Sequence, residues 1–222
     1  MGENRPAAAT VAVLAGGRSR RMGGGEKALI RLGGATLLER VLTAARPLGL
    51  PVRVVAGAAP SPQLRAAAAA GSDLGIAGDR YPGQGPLGGI LTAFEVDSPE
   101  RVLALACDLP FLTPPLLEFL LEQSGEDCDA AVPEDRTGLQ PLCAVYRETA
   151  RPLLHRSLAG GKLGVGAFAR SLRLRLLGPG EYAHLDPYGM AFANVNTPED
   201  LAAAERFLGR TKPQAPGEGL RS

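Results

Sequence analysis

Val11-Ala12-Val13-Leu14-Ala15-Gly16-Gly17-Arg18-Ser19-Arg20-Arg21-Met22-Gly23-Gly24-Gly25-Glu26-Lys27 is the stretch that decides how this chain is read. Val11 to Leu14 is a short, β-branched apolar run of the kind that forms a buried parallel strand. The run stops at Gly16-Gly17, where residues without a Cβ leave backbone N–H groups open to cradle phosphate oxygens. Arg18, Arg20, Arg21 and Lys27 place cations within the same short reach. Arginine can grip phosphate with two parallel hydrogen bonds, and lysine acts as a compact point charge. A plain connector needs neither the glycines nor the cations. The loop is not a P-loop, because Ala28 follows Lys27 where Ser or Thr is required. Nor does it fit G-x-G-x-x-G, because Arg18 and Ser19 follow the first glycine pair.

Outward from this loop, Leu37, Leu38, Val41, Leu42, Ala45 and Leu48 have helical spacing, and Pro51 precedes a short apolar strand, Val52 to Val55. The pattern continues with a helix at 63–70, a strand at 74–77, a helix at 90–96, a strand at 101–106 and a helix at 114–123. Later strands are expected at 130–133, 142–146, 173–177 and 191–194, with helices at 150–158 and 198–208. Such alternation predicts an α/β fold with a mostly parallel sheet covered on both faces. The less regular strands after Ala130 predict an added antiparallel element. Residues 1–9 read as a loose lead-in and 10–208 as one domain. The Gly-, Pro- and charge-rich stretch 209–222 reads as a disordered tail.

Three further stretches carry chemistry. Asp108 directly follows the apolar strand ending at Ala106, which puts a carboxylate at the sheet's carboxyl edge, where open α/β folds bind ligands. A carboxylate there can hold Mg²⁺, which neutralises a triphosphate. The bland alternative is a turn aspartate ahead of Pro110. Asp79 to Ile90 is dense in Gly and Pro, and Gly88-Gly89 opening a helix would let a ligand approach the backbone closely. Read alone, that stretch is equally a structural turn. In Asn194-Val195-Asn196-Thr197-Pro198-Glu199-Asp200, Thr197 suits an N-cap, Pro198 the first helical position, and the two acids the first turn. The asparagines Asn194 and Asn196 are left over and could flank a substrate at the sheet edge.

Composition sets limits. Hydrophobic residues make up 45% of the 222 residues and the formal net charge is +1. Bulk charge therefore gives no reason to expect nucleic acid or a membrane surface as partner. No apolar run reaches the ~20 residues of a membrane span. Arg5 ahead of an Ala/Val run faintly imitates a signal peptide, but the run leads straight into the glycine loop and reads as strand. Cys107, Cys128 and Cys143 lack metal or redox spacing and are expected to be reduced thiols in a cytoplasmic protein. His155 and His184 have no partner motif.

These stretches, in this order from about Thr10 to Phe207, resemble the Rossmann-like nucleotidyltransferase family, whose loop reads L-A-[AG]-G-x-x-x-R-M-G-…-K. Leu-Ala-Gly-Gly at 14–17 is more similar to the molybdenum cofactor guanylyltransferase branch than to the cytidylyl one. Gly85-Pro86-Leu87-Gly88-Gly89-Ile90, Cys107-Asp108-Leu109-Pro110-Phe111 and Gln140-Pro141-Leu142 support the same likeness. The resemblance implies a three-layer α/β/α fold and transfer of GMP from GTP to molybdopterin with Mg²⁺. It further implies nucleotide contacts from Leu14, Ala15, Gly16 and Gly17, phosphate contact from Lys27, and Asp79 near the guanosine. Asp108 would be the metal ligand, and Asn194 and Asn196 would lie near the pterin. Arg21 and Lys27 would neutralise charge developing during transfer. Other proteins of molybdenum cofactor biosynthesis would be partners. The chain departs from the family at Glu26, where Asp is usual, and at Ala56-Gly57, where many members carry an asparagine. It also lacks paired arginines near Lys162-Leu163. A cytidylyl or sugar-phosphate nucleotidyltransferase, or a non-catalytic nucleotide-binding module, are the competing readings. The presence of both Lys27 and Asp108 speaks against the last.

Overall fold

Val11 and Val13 face one side of a sheet and Ala12 the other, and this alternation organises the molecule. The computed structural model describes residues 8–16, 26–57, 59–68 and 74–211. Its strands are β1 (Ala9–Leu14), β2 (Arg31–Leu32), β3 (Ala35–Thr36), β4 (Val52–Ala56), β5 (Leu74–Gly78), β6 (Arg101–Ala106), β7 (Ala130–Asp135), β8 (Gly138–Leu139), β9 (Cys143–Arg147) and β10 (Leu174–Leu177). Its helices are α1 (Leu37–Ala45), α2 (Pro62–Ala68), α3 (Gly85–Asp97), α4 (Pro114–Glu122), α5 (Arg151–Ala159), α6 (Val165–Arg170), α7 (Pro179–Tyr182) and α8 (Pro198–Thr211).

The main sheet runs β10-β7-β9-β6-β1-β4-β5, with β8 paired to β7. Strands β5, β4, β1 and β6 are mutually parallel, whereas β9 is antiparallel to both β6 and β7. The expected antiparallel element is therefore β9. One face buries Val11, Val13, Val54, Leu103, Leu105 and Val145 against α1, α2 and α4. The other buries Ala12, Val55, Val102, Ala104, Ala144 and Tyr146 against α3, α5 and α6. Each fully buried Val or Leu contributes roughly 1.5–3 kcal/mol. Both faces are thus covered, which makes three layers. The β2–β3 hairpin packs separately, with Leu32 and Leu37 against Val195 and Ala204. None of the described helices is long and apolar enough to cross a membrane.

Local chemistry explains most boundaries. Thr36 caps α1 in a reciprocal box with Glu39: the Glu39 N–H donates to Thr36 Oγ1 (3.1 Å), and the Thr36 N–H donates to Glu39 Oε2 (2.6 Å). Thr197 caps α8 as the sequence predicts, and Asp200 completes an equivalent box by accepting the Thr197 N–H (2.9 Å). Helix α1 ends at Ala45 and tightens to a 3₁₀ turn over Arg46–Leu48, because Pro47 has no N–H to donate.

Several expectations need correction. Residues 191–194 are a turn, not a strand. The Asp186 carboxylate accepts from the Met190 and Ala191 N–H groups, and the Ala193 N–H donates to the Met190 carbonyl. Those backbone groups are used locally, and Ala191 and Phe192 supply core apolar surface without joining a ladder. Helix α3 starts at Gly85, five residues earlier than the spacing predicts, because Pro86 is preorganised for the first turn. Helix α8 runs to Thr211, past the expected domain end at 208, and Ala9 already belongs to β1. Residues 1–7 and 212–222, the rest of the expected lead-in and tail, lie outside the described residues.

Candidate functional site

The chain leaves β1 to build β4 and β5 on one side, then returns to place β6 on the other. The order therefore reverses between β1 and β6, and a crevice opens at their carboxyl ends. A cleft of about 430 Å³ occupies this position. Strands β1, β4, β5 and β6 all lead to it: Leu14 and Gly16 at the end of β1, Val55 and Gly57 at the end of β4, Asp79 beyond β5, and Ala106 to Asp108 at the end of β6. Pro82, Pro86 and Leu142 give it apolar walls.

Lys27, Asp108 and Asn196 meet at one end. The Lys27 ammonium donates to Asp108 Oδ2, forming an ion pair, and to Asn196 Oδ1. Each arrives on a separate support. Lys27 opens a 3₁₀ turn whose buried Ala28 anchors it in the core, and the preceding Glu26 accepts from the Ser61 hydroxyl. Asp108 follows β6 directly, and its neighbour's N–H, from Cys107, donates to the Leu14 carbonyl (3.2 Å). Asn196 is set by the α8 cap, with its N–H on Asp200 Oδ2 (2.9 Å), and by Val195, whose N–H donates to the Asp108 carbonyl (3.0 Å). The carboxyl-terminal motif is thus pinned onto the turn that carries Asp108.

The second oxygen of this aspartate is the telling atom. Asp108 Oδ1 is buried and has no hydrogen-bond partner among the described residues. A buried carboxylate oxygen left unpaired costs about 1–3 kcal/mol or more. Such an oxygen is a hard donor aimed for a hard cation, so the residues present fit a divalent ion such as Mg²⁺. No group of three or more Asp, Glu, His or Cys residues placed to hold a metal ion is present among the described residues. One carboxylate completed by phosphate oxygens and water is the usual manner in which Mg²⁺ is held.

At the other end, Asp79 Oδ1 accepts from the Tyr81 N–H (2.9 Å) and the Thr92 hydroxyl (3.2 Å). Gly88 is not part of the cleft wall. A Cβ there would stand 2.9 Å from the Tyr81 Cβ and carbonyl oxygen, so its role is close packing beneath the Asp79 loop. Gly89 lines the cleft in its place. Ala15 is buried, its N–H donating to the Val55 carbonyl (2.8 Å), and it supports the rim from beneath. Asn194 is exposed beside the cleft motif, its amide near the Phe192 carbonyl at 3.4 Å. Gly17, Arg18, Arg20 and Arg21 lie outside the described residues. Burial, with help from the Asp108 charge, pushes the Cys107 thiol up to about 12, so it stays neutral at the cleft floor. Thr92 and Glu95 had no functional signal in the sequence, since each looks like an ordinary helix residue until folded.

A three-layer sheet, a glycine-edged cleft at its switch point, and a Lys–Asp–Asn cluster beside an unpaired buried carboxylate oxygen define a Rossmann-like nucleotidyltransferase. The family described as MobA-like NTP transferase domain matches residues 11–174, and the chain belongs to that family. A molybdenum cofactor guanylyltransferase from Desulfosudis oleivorans is 33% identical over 90% of this chain and 96% of its own length. A probable molybdenum cofactor guanylyltransferase from Pelotomaculum thermopropionicum is 37% identical over 88% of this chain and 91% of its own. The crystal structure of molybdopterin-guanine dinucleotide biosynthesis protein A from Archaeoglobus fulgidus superposes with a TM-score of 0.76 at 29% identity, covering 91% of this chain and 100% of that one.

Proposed function

We propose that the chain transfers GMP from GTP to the terminal phosphate of molybdopterin, with Mg²⁺ as the divalent cation and pyrophosphate as the leaving group. The observation that carries this is the Lys27–Asp108–Asn196 cluster, with its unpaired Asp108 oxygen, at one end of a cleft whose other end carries Asp79. The relatives named as guanylyltransferases, matched over most of their length, support guanine as the base and the pterin as acceptor.

The residues divide the work by position. The backbone of Leu14 to Gly17 borders the sugar and phosphates, and Val55, Pro82, Pro86 and Leu142 flank the base. The Asp79 carboxylate accepts from the N–H donors on the edge of guanine, which cytosine and uracil do not present in that pattern. Lys27 turns its ammonium from Asp108 to the phosphates as the nucleotide enters, and Arg21 adds charge from the glycine loop. Asp108 would hold Mg²⁺, which when bound neutralises the triphosphate and polarises the α-phosphoryl group. An oxygen of the acceptor phosphate forms a new bond to the α-phosphorus while the bond to the bridging oxygen of pyrophosphate breaks, and no protein nucleophile is needed. Catalysis is positioning plus charge stabilisation. Asn194 and Asn196 border the acceptor's approach. A cytoplasmic setting fits three free, buried cysteines.

The test is pyrophosphate release from GTP, CTP, ATP and UTP with Mg²⁺ and molybdopterin, alongside thermal stabilisation by each nucleotide. A ligand that binds only the folded state raises Tm in proportion to its affinity. Release and stabilisation specific to GTP are expected. Turnover with CTP alone would move the chain to the cytidylyl branch and overturn the guanylyl reading.

A further inference from the structure

The loop from Asp79 to Tyr81 is fastened to two successive turns of α3 by more bonds than a turn requires. Thr92, wholly buried on α3, donates its hydroxyl to Asp79 Oδ1 (3.2 Å) and accepts from the Arg80 N–H (3.0 Å). Three residues further along the helix, Glu95 accepts the Tyr81 phenol on Oε1 (2.6 Å) and pairs with the Arg80 guanidinium through Oε2 (3.2 Å). The Tyr81 N–H then closes the circuit on Asp79 Oδ1 (2.9 Å). Gly88 makes room for this, since a Cβ would collide with Tyr81. The side chain of Glu95 is 15% exposed. Burial opposes its charge, but bonds from Tyr81 and Arg80 outweigh it and hold the carboxyl below the usual range. Glu95 is therefore charged at neutral pH and can hold both donors.

We propose that Glu95 and Tyr81 are specificity-positioning residues, which fix the plane of the Asp79 carboxylate so that it selects a nucleobase presenting adjacent N–H donors. The proposal rests on the reading of Asp79 as the base-facing group. One carboxylate oxygen is committed to the Tyr81 N–H and the Thr92 hydroxyl, which sets the rotation of the whole group. The remaining oxygen, Oδ2, takes no hydrogen bond among the described residues and is left for a ligand. A site built to accept a substrate N–H discriminates strongly only when its acceptor is held still, because a mobile carboxylate re-pairs with water or with a wrong base. Glu95 does not line the cleft and acts on Asp79 through Tyr81 and Arg80, with the His155 imidazole 4.0 Å from its Oε1 on the other side.

The experiment is a double-mutant cycle on the purified protein with Mg²⁺ and molybdopterin, reading kcat and KM for GTP and for ATP from pyrophosphate release. Glu95→Gln and Tyr81→Phe should each raise KM for GTP by about tenfold, the effect of losing one charge-assisted hydrogen bond. They should narrow the GTP-over-ATP preference and change kcat much less. In an Asp79→Asn background the same substitutions should add little, because the group they position is already altered. Tyr81→Phe keeps the ring packed against the core on the α3 face of the sheet and guards against a folding defect. Variants that lose stability yet keep the full GTP preference would overturn the positioning role while leaving the guanylyl reading intact. A wild-type protein without GTP preference would overturn that reading, and this inference with it.

Discussion

Two of the carboxylate–cation pairs at the strand ends, Asp129–Arg173 and Asp108–Lys27, differ in how completely they are satisfied. Asp129, ahead of β7, accepts from the Thr149 hydroxyl (2.7 Å), from two guanidinium nitrogens of Arg173 (2.7 and 3.2 Å) and from the Arg173 N–H (3.1 Å). Both its oxygens are used, and Arg173 above all pulls its carboxyl down to about 2. Asp108, after β6, has one oxygen on Lys27 and one buried with no partner among the described residues. The first pair ties the β7–β10 edge together and leaves nothing to offer. The second leaves a donor atom unspent, at the position where the sheet order reverses. Saturation, more than charge or burial, separates a structural ion pair from a candidate catalytic one.

The largest expected effect bears on the unsaturated pair. Asp108→Asn should lower turnover by about 10²–10³-fold, the usual loss for one electrostatic group at a reacting phosphate. It should leave the melting temperature close to that of the wild type. Near-normal pyrophosphate release in that variant would sink the metal assignment. Lys27→Met should cost about 10²-fold in turnover by the same reasoning, and nucleotide-induced thermal stabilisation should shrink with it. If the two pairs were equivalent, Asp129→Asn would harm catalysis similarly. Instead it should leave kcat unchanged and lower Tm by a few degrees, as read by circular dichroism.

A smaller effect sharpens the contrast through pH. The folded carboxyl of Asp129 is depressed from 3.8 to about 2, so its contribution to stability is present above the unfolded value. That contribution is lost as pH falls from about 3.8 through about 2. Acid unfolding curves of wild type and Asp129→Asn should therefore converge towards the lower end of that window. The smallest expected signal is chemical: with its thiol pushed up to about 12, Cys107 should resist labelling by a disulfide reagent at neutral pH until the protein unfolds. Fast labelling of the native protein would show that the cleft floor is more open than its burial implies.

Much of this was legible in the chain. The apolar run from Val11 into glycines marked β1 and its loop, and the aspartate after Ala106 marked the end of β6, because both signals lie within a few consecutive residues. Thr197 and Asp200 declared the α8 cap for the same reason. Ala191 to Asn194 misled, because a short apolar run looks alike whether it joins a ladder or plugs a core between turns. Gly88 reads two ways in the chain, since a missing Cβ can serve a ligand or a neighbouring tyrosine, and the position of Tyr81 adds a packing reason that the sequence did not signal. The Glu95 network gave no signal, being made of common residues on one loop and one helix.

The sequence by itself determined the α/β class and marked the candidate groups Lys27, Asp79, Asp108 and Asn196, since strand propensity, glycine content and charge belong to short stretches. Only the tertiary structure decided that Lys27 meets both Asp108 and Asn196, residues 81 and 169 positions away. It also showed that one Asp108 oxygen has no partner among the described residues, and that α3 holds Asp79 in place. Those facts depend on strand order and on what fills the space between elements, which nothing in a local stretch of chain encodes.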